Sequence, residues 1–185
     1  MKVIIFLSLT LTSFLFSQGG PDSLNFFPAH AGDVRQYRSQ FTGDIAWTEY
    51  FDKDSVDQDG NIFIWYHREG IARQGDGVYK IDPLNNFYEH LYTVNDTAIL
   101  LYKLDADTGT VWTYRKTPWD SILAKVVAIY PGLIYGKQVM LKQIEYTRYQ
   151  GTGQFCLGNR YLAKGFGMVQ LDTEPTDVYY LAGAL

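Results

Sequence analysis

The side chains of this chain that could transfer protons or bind a metal are its three histidines, His30, His67 and His90, and the carboxylates near them. Period-two alternation predicts that His67 and Glu69 share one face of a strand. Glu89 lies on another predicted strand, and neighbouring strands can bring such groups together. A pocket that combines His67, Glu69 and Glu89 is therefore one hypothesis. The alternative, which we favour, is that they are half-exposed polar positions on the wet face of an antiparallel sheet.

An acidic run at residues 52–60 matches a calcium-binding loop only in part. With Gly60 at the sixth position, an EF-hand loop would begin at Ser55 and would need a bidentate Glu where Tyr66 stands. The loop therefore fails at both ends. The same residues suit the tip of an exposed hairpin, because Asp and Asn tolerate left-handed backbone geometry. The sequence predicts no metal site and no cofactor.

Motifs that are specific for enzymes are missing from the sequence. It contains no G-x-S-x-G elbow, H-E-x-x-H pair, P-loop or Cys-x-x-Cys pair. Gly165 and Gly167 stand between two predicted strands, so they indicate a bend and not a dinucleotide fingerprint. The single cysteine, Cys156, is predicted to be a buried structural thiol, since no partner base is identified. A hydrolase that uses Asp or Glu side chains stays open as an alternative, because such pairs are defined by their separation in space.

Aromatic side chains are the main indication of a binding function. They make up 16% of the chain, with 15 Tyr, 11 Phe and 4 Trp. Aromatics that face solvent or a cavity could stack on sugar rings or line a lipid-sized pocket, whereas buried ones would fill the core. The predicted ligand-binding residues are Trp47, Trp65, Trp112, Trp119, His67, Glu69 and Glu89.

Positioning these residues is the task of a predicted all-β fold. Segments rich in β-branched and aromatic residues alternate with short turn clusters such as 59–61, 107–109 and 151–153. This spacing predicts an antiparallel meander that closes as a barrel or packs as a sandwich. One stretch, 119–127, could instead be helical. We predict strands at 34–40, 45–51, 62–68, 77–81, 87–94, 99–104, 110–115, 122–130, 138–149, 160–163, 168–172 and 178–182.

The first eighteen residues are typical of an export signal. Lys2 supplies the positive charge, and residues 3–16 form an apolar stretch that is too short for a comfortable bilayer crossing. No cysteine stands at the junction, which argues against a lipid anchor. Residues 1–18 are therefore interpreted as a signal peptide and residues 19–185 as a single all-β domain, whose size suits one core.

The charge of the chain excludes some partners. Its formal net charge is −4, which becomes −5 once Lys2 is removed with the signal, and the basic residues are scattered. This pattern lacks the basic patch that nucleic-acid binding requires, and it fits an anionic membrane surface equally poorly.

Short motifs at both ends of the mature region resemble β-rich secreted proteins of Bacteroidota and related bacteria. The opening contains Phe26-Phe27-Pro28, Gly32-Asp33 and Tyr37, and the close contains Gly165-Phe166-Gly167-Met168-Val169 and Leu181-Ala182-Gly183-Ala184. The resemblance implies a protein of unassigned function, often with a C-terminal sorting domain, and it carries over no catalytic residues. Since the chain stops at Leu185 without such a domain, we expect the periplasm first and the extracellular space or cell surface second.

These observations predict an exported, non-catalytic β module. It would bind a small ligand, a glycan, a lipid or a cell-envelope protein through aromatic residues. Two alternatives stay open. One is the small secreted hydrolase, and the other is an eight-stranded outer-membrane barrel, which the length would suit.

Overall fold

The computed structural model describes residues 26–91, 97–173 and 177–184, so the predicted signal peptide lies outside the described residues. The described residues form twelve antiparallel strands and confirm the predicted all-β meander. No helix among them is long and apolar enough to cross a membrane. The strands are β1 (Val34–Ser39), β2 (Ile45–Val56), β3 (Ile62–Gly70), β4 (Gly75–Ile81), β5 (Asn86–Leu91), β6 (Ile99–Lys103), β7 (Val111–Lys116), β8 (Asp120–Ile134), β9 (Lys137–Gln150), β10 (Gly153–Ala163), β11 (Gly167–Thr173) and β12 (Asp177–Ala184).

Each strand pairs with the next one along the chain, with one exception: β6 does not pair with β7. In addition, β1 pairs with β12. The resulting order, β6-β5-β4-β3-β2-β1-β12-β11-β10-β9-β8-β7, is one sheet that curls into a nearly closed barrel. The seam between β6 and β7 is bridged from the inside, because the Tyr146 hydroxyl on β9 donates to the Leu101 carbonyl on β6 at 2.9 Å. The eight-stranded count expected for the outer-membrane alternative is wrong, since twelve strands are present in the described region.

Local turn chemistry explains where the strands end. The carboxylate of Asp57 accepts hydrogen bonds from the backbone N–H groups of Asp59 and Asn61, both at 2.9 Å, which confirms the predicted hairpin tip in the acidic run. The predicted bend at Gly165 and Gly167 is also confirmed, because both residues have a positive φ at the turn between β10 and β11.

Of the two conformations considered for residues 119–127, the structure confirms the predicted strand and not the helical alternative: Trp119 lies in a turn and β8 begins at Asp120. Its apolar residues alternate between the two faces and pair with β9, so the sheet partner decides the conformation. The expected burial of Cys156 is wrong: its side chain is exposed on β10, next to the bulge of that strand.

The barrel interior is packed with aromatic rings. Trp47 on β2 stacks on Tyr37 of β1 with ring centroids 4.5 Å apart. Phe27, from the segment before β1, packs against Tyr79 and Phe87 and thereby covers one end of the barrel. Such rings bury large apolar areas and favour offset or edge contacts over face-to-face stacking.

The two ends of the barrel differ. In an up-and-down meander every second turn lies at the same end, so the turns at residues 40–44, 71–74, 117–119 and 151–152 surround one opening. We call this end the mouth. The segment that contains Phe27 covers the opposite end.

Candidate functional site

The four tryptophans predicted to bind a ligand are dispersed over the fold. Trp47 and Trp112 are buried in the interior, at 1% and 5% exposure. Trp65 is half-buried on the outer face of β3, with the Lys53 ammonium 4.8 Å from its ring. Trp119 is 83% exposed in a turn at the mouth. They therefore line no common cavity.

His67, Glu69 and Glu89 do not share one pocket either. His67 Nε2 lies 3.4 Å from Glu69 Oε1 on the outer face of β3, and its Nδ1 contacts Asp76. The hydrogen bond with Asp76 is the main cause that raises the pKa of His67. Glu89 lies opposite Tyr79 on the interior face, so the barrel wall separates it from the other two.

Glu89 belongs to a buried ion cluster inside the barrel. Its Oε1 accepts hydrogen bonds from Arg68 Nη1 at 2.7 Å and from the Tyr66 hydroxyl at 2.6 Å. Arg68 Nε also donates to Glu49 Oε1 at 2.8 Å, and the Tyr79 hydroxyl donates to the same oxygen. Burial alone would raise the pKa of Glu89, but Arg68 and Tyr66 more than offset it, so its pKa lies below the usual 4.5. One oxygen of each carboxylate accepts two internal hydrogen bonds, and both carboxylates share the Arg68 guanidinium, which is typical of a structural cluster.

Among the residues that the structure describes, no group of three or more His, Cys, Asp and Glu side chains is placed to hold a metal ion.

A groove of about 450 Å³ lies on the outer face of the barrel wall, between the tip of the β8–β9 hairpin and strands β10 to β12. We call it the tyrosine groove. Four of its side chains are tyrosines, and it has one amide side chain, that of Gln170. The residues that line it are Tyr130, Leu133, Ile134, Tyr135, Leu141, Tyr161, Val169, Gln170, Tyr180 and Leu181.

The floor of the tyrosine groove is a cross-strand row of three residues. Tyr161 on β10 lies directly opposite Gln170 on β11, which lies opposite Tyr180 on β12. Since adjacent strands are about 4.8 Å apart, the two tyrosines stand roughly 10 Å apart with the amide between them. Gln170 Nε2 donates to Asp172 Oδ1 at 2.8 Å, which fixes the orientation of the amide. Burial and then Asp172 raise the pKa of Tyr161 to about 12, so its hydroxyl keeps its proton.

Tyr135 closes the tyrosine groove from the hairpin tip. Tyr135 and Gly136 have φ values of 48° and 76°, as in the two-residue hairpin turns that favour Asn-Gly. A bulky residue at positive φ is strained, and such strain persists where the surrounding contacts hold it. Here the Tyr135 hydroxyl donates to the Leu181 carbonyl on β12 at 2.7 Å. The side chain thus ties the hairpin tip to a strand three places away in the sheet.

Sequence reasoning missed the tyrosine groove. Its residues come from five strands and a turn, and the row on its floor depends on the register of β10, β11 and β12. Nothing in the sequence pairs Tyr161 with Tyr180. The one local signal is Tyr135-Gly136, where a large aromatic occupies a turn position that normally takes Asn or Asp.

Comparisons with known proteins define the fold class. No family model and no curated protein matches the chain. A crystal structure of a protein assigned as exported, with a YmcC-like fold, from Bacteroides fragilis matches with a TM-score of 0.51 at 12% identity, covering 86% of this chain and 98% of that chain. A protein assigned as a lipoprotein from Parabacteroides distasonis matches with a TM-score of 0.48 at 9% identity and the same coverage. At 12% identity, the first similarity establishes a shared YmcC-like fold and nothing finer. Bacteroides fragilis belongs to the Bacteroidota, the group of the resemblance seen in the sequence.

Proposed function

We propose that this chain is an exported, non-catalytic barrel domain that binds a glycan in the tyrosine groove. The observation that carries the proposal is the row Tyr161, Gln170 and Tyr180, in which two aromatic faces flank an oriented amide. Sugars present apolar C–H faces together with hydroxyl groups, so they are bound by flat aromatic rings combined with hydrogen-bonding groups.

The chemistry of the groove favours a glycan over a lipid. Tyr130, Tyr135, Tyr161 and Tyr180 bring four hydroxyl groups to the groove, and Gln170 adds an amide. The Tyr135 hydroxyl and the Gln170 amide N–H already have internal partners, but a hydrocarbon chain would cover the hydroxyls of Tyr130 and Tyr180 without giving them any, and each unpaired group costs free energy. A sugar offers partners for them. Of the partners considered from the sequence, a glycan, a lipid or an envelope protein, this chemistry favours the glycan over the lipid.

Export rests on the signal-like residues 1–18 and is supported by the assignment of the Bacteroides fragilis neighbour as an exported protein. The periplasm is the first expected location, with the extracellular space or cell surface second. Glycans of the cell envelope are available in both.

Retention on glycans tests the proposal. Wild-type protein is applied to a glycan array and to native gels that contain soluble polysaccharides, beside Tyr161→Ala and Tyr180→Ala. Tyr149→Ala is the matched control, because Tyr149 and Tyr180 are equally exposed at 39% and Tyr149 lies outside the groove. Loss of one stacking contact of about 1 kcal/mol should weaken retention roughly fivefold in the groove variants only.

Two results would overturn the proposal. One is a wild-type protein that binds no glycan in either format. The other is glycan retention that Tyr161→Ala and Tyr180→Ala leave at the wild-type level.

A further inference from the structure

A second pocket, of about 280 Å³, opens at the mouth of the barrel around Arg160 on β10. Arg160 and Tyr161 are consecutive, so their side chains point to opposite faces of the wall. The pocket is therefore separate from the tyrosine groove. Tyr114 and Tyr146 line it, and two further arginines, Arg73 and Arg115, lie at its rim.

The partners of Arg160 are aromatic hydroxyls and rings. Its Nη1 donates to the Tyr102 hydroxyl and its Nη2 to the Tyr114 hydroxyl, both at 3.4 Å, which is long for a hydrogen bond. The guanidinium carbon lies 4.6 Å from the centre of the Tyr146 ring. No carboxylate in the described part of the chain lies within ion-pair distance of Arg160, although Arg68 contacts two.

A guanidinium in this setting favours an anionic ligand. Arginine is always protonated in proteins and presents its donors in a rigid fork that fits carboxylate and phosphate groups. Arg160 is half-buried, so its charge is partly removed from water; this is costly unless the charge is paired, and cation–π contacts supply only part of the compensation. Asp172 also borders the pocket, but its carboxylate accepts a hydrogen bond from Gln170 on the outer face.

The backbone of β10 is irregular just before Arg160. Cys156 pairs with Thr147 and Gly158 with Tyr146, so Leu157 is an extra residue in the ladder. Gly158 has a φ of 114°, a conformation that other residues rarely adopt. Bulges of this kind redirect side chains and occur often beside binding sites. This bulge sets the strand register that follows it and so fixes the position of Arg160 at the mouth.

We propose that the mouth pocket binds a compact oxyanion, the carboxylate or phosphate group of a small ligand, through Arg160, with Arg73 adding attraction at the rim. Arg115 adds less, because Asp120 Oδ2 lies 3.8 Å from its Nη2. This site is independent of glycan binding in the tyrosine groove. Because Tyr102 lies on β6 and Tyr114 on β7, an anion at Arg160 binds where the two unpaired edges of the sheet meet.

Nuclear magnetic resonance titration with two probes, inorganic phosphate and benzoate, tests the site. Benzoate carries a carboxylate on an apolar ring, so the two probes separate the possible sources of the oxyanion. We expect a saturable shift of the Arg160 Nε–Hε signal with at least one probe. Arg160→Gln should weaken binding about tenfold or more, the loss of a charged hydrogen bond. Arg73→Gln should weaken it by a smaller factor and reduce its salt dependence.

Matched variants keep the test decisive. Arg38→Gln removes an exposed arginine on the outer face and should leave the affinity unchanged. Tyr180→Ala should also leave it unchanged, which separates this site from the tyrosine groove. If Arg160→Gln does not fold, the wild-type titration and Arg73→Gln decide the outcome. The proposal is wrong if neither probe shifts the Arg160 signal, or if Arg38→Gln weakens binding as much as Arg73→Gln.

Discussion

Glu49 and Arg68 lie directly opposite each other on β2 and β3, with Arg68 Nε donating to Glu49 Oε1 at 2.8 Å inside the barrel. They are 3% and 8% exposed, so neither charge is solvated. Glu89 joins them from β5, two strands further along the sheet. One cation therefore balances two carboxylates across four adjacent strands, and its removal would leave both without their main partner.

Replacing Arg68 by Met should destabilise the fold by about 3–5 kcal/mol, because removing one partner leaves uncompensated buried charge. Urea denaturation followed by tryptophan fluorescence measures the free energy of unfolding. Arg38→Met is the control, since Arg38 is exposed, and it should change that free energy by less than about 0.5 kcal/mol. Equal effects of the two substitutions would contradict the role assigned to the buried cluster.

Acid should weaken the fold through Glu89. Its pKa is lower in the folded protein than the usual 4.5, so the unfolded chain binds a proton before the folded chain does. The contribution of Glu89 to stability is therefore complete above about pH 4.5 and is lost as the pH falls toward its folded pKa. Unfolding free energies measured from pH 6 to pH 3 should fall less steeply in Glu89→Gln than in wild type. Parallel curves would show that Glu89 is not linked to acid unfolding.

Gly158→Ala should be far more damaging than Gly109→Ala. Both glycines have positive φ, 114° and 93°, so both substitutions carry a backbone strain of about 1–3 kcal/mol. Only at Gly158 would the new Cβ also overlap the Asp172 carbonyl oxygen on β11, whereas at Gly109 it would meet open space. Thermal unfolding of the two variants isolates this overlap, because the strain is common to both. Similar melting temperatures would contradict this prediction, because they would mean that β11 moves away from the new Cβ on β10 without a loss of stability.

Cys156 should react readily in the native protein. Its side chain is exposed, so one equivalent of a thiol reagent should be consumed without denaturant. Cys156→Ser should change the free energy of unfolding by less than about 0.5 kcal/mol, because no packing is lost. Protection of the thiol until the protein unfolds would contradict the position assigned to it.

The sequence predicted all twelve strands near their observed positions because alternation and turn residues are local signals. Residues 92–94 of the predicted strand 87–94 lie outside the described residues. The largest error is β10, predicted at 160–163 and observed at Gly153–Ala163. The missed residues 153–159 include Gly153, Gly158 and Asn159, which have weak strand propensity, so pairing with β9 decides the structure of this part.

The candidate sites were beyond local signals. Alternation predicts which residues share a face of a strand but not which face points into the barrel. The sequence therefore could not show that Trp47, Trp112 and Glu89 are buried inside the barrel, whereas Trp65 and His67 lie on its outer face. Arg160 could not be recognised, because its three tyrosine partners lie on β6, β7 and β9. Such relationships follow from barrel closure alone.

Barrel closure itself rests on one ladder that joins distant parts of the chain. Ten of the eleven strand pairings join consecutive strands, and the eleventh joins β1 to β12, with Arg35 opposite Ala184. Pairings between consecutive strands require only short loops, whereas the β1–β12 ladder must close a loop of nearly the whole domain. We therefore expect two six-stranded meanders to form early and the β1–β12 ladder to form last, which makes it the step that sets the folding rate.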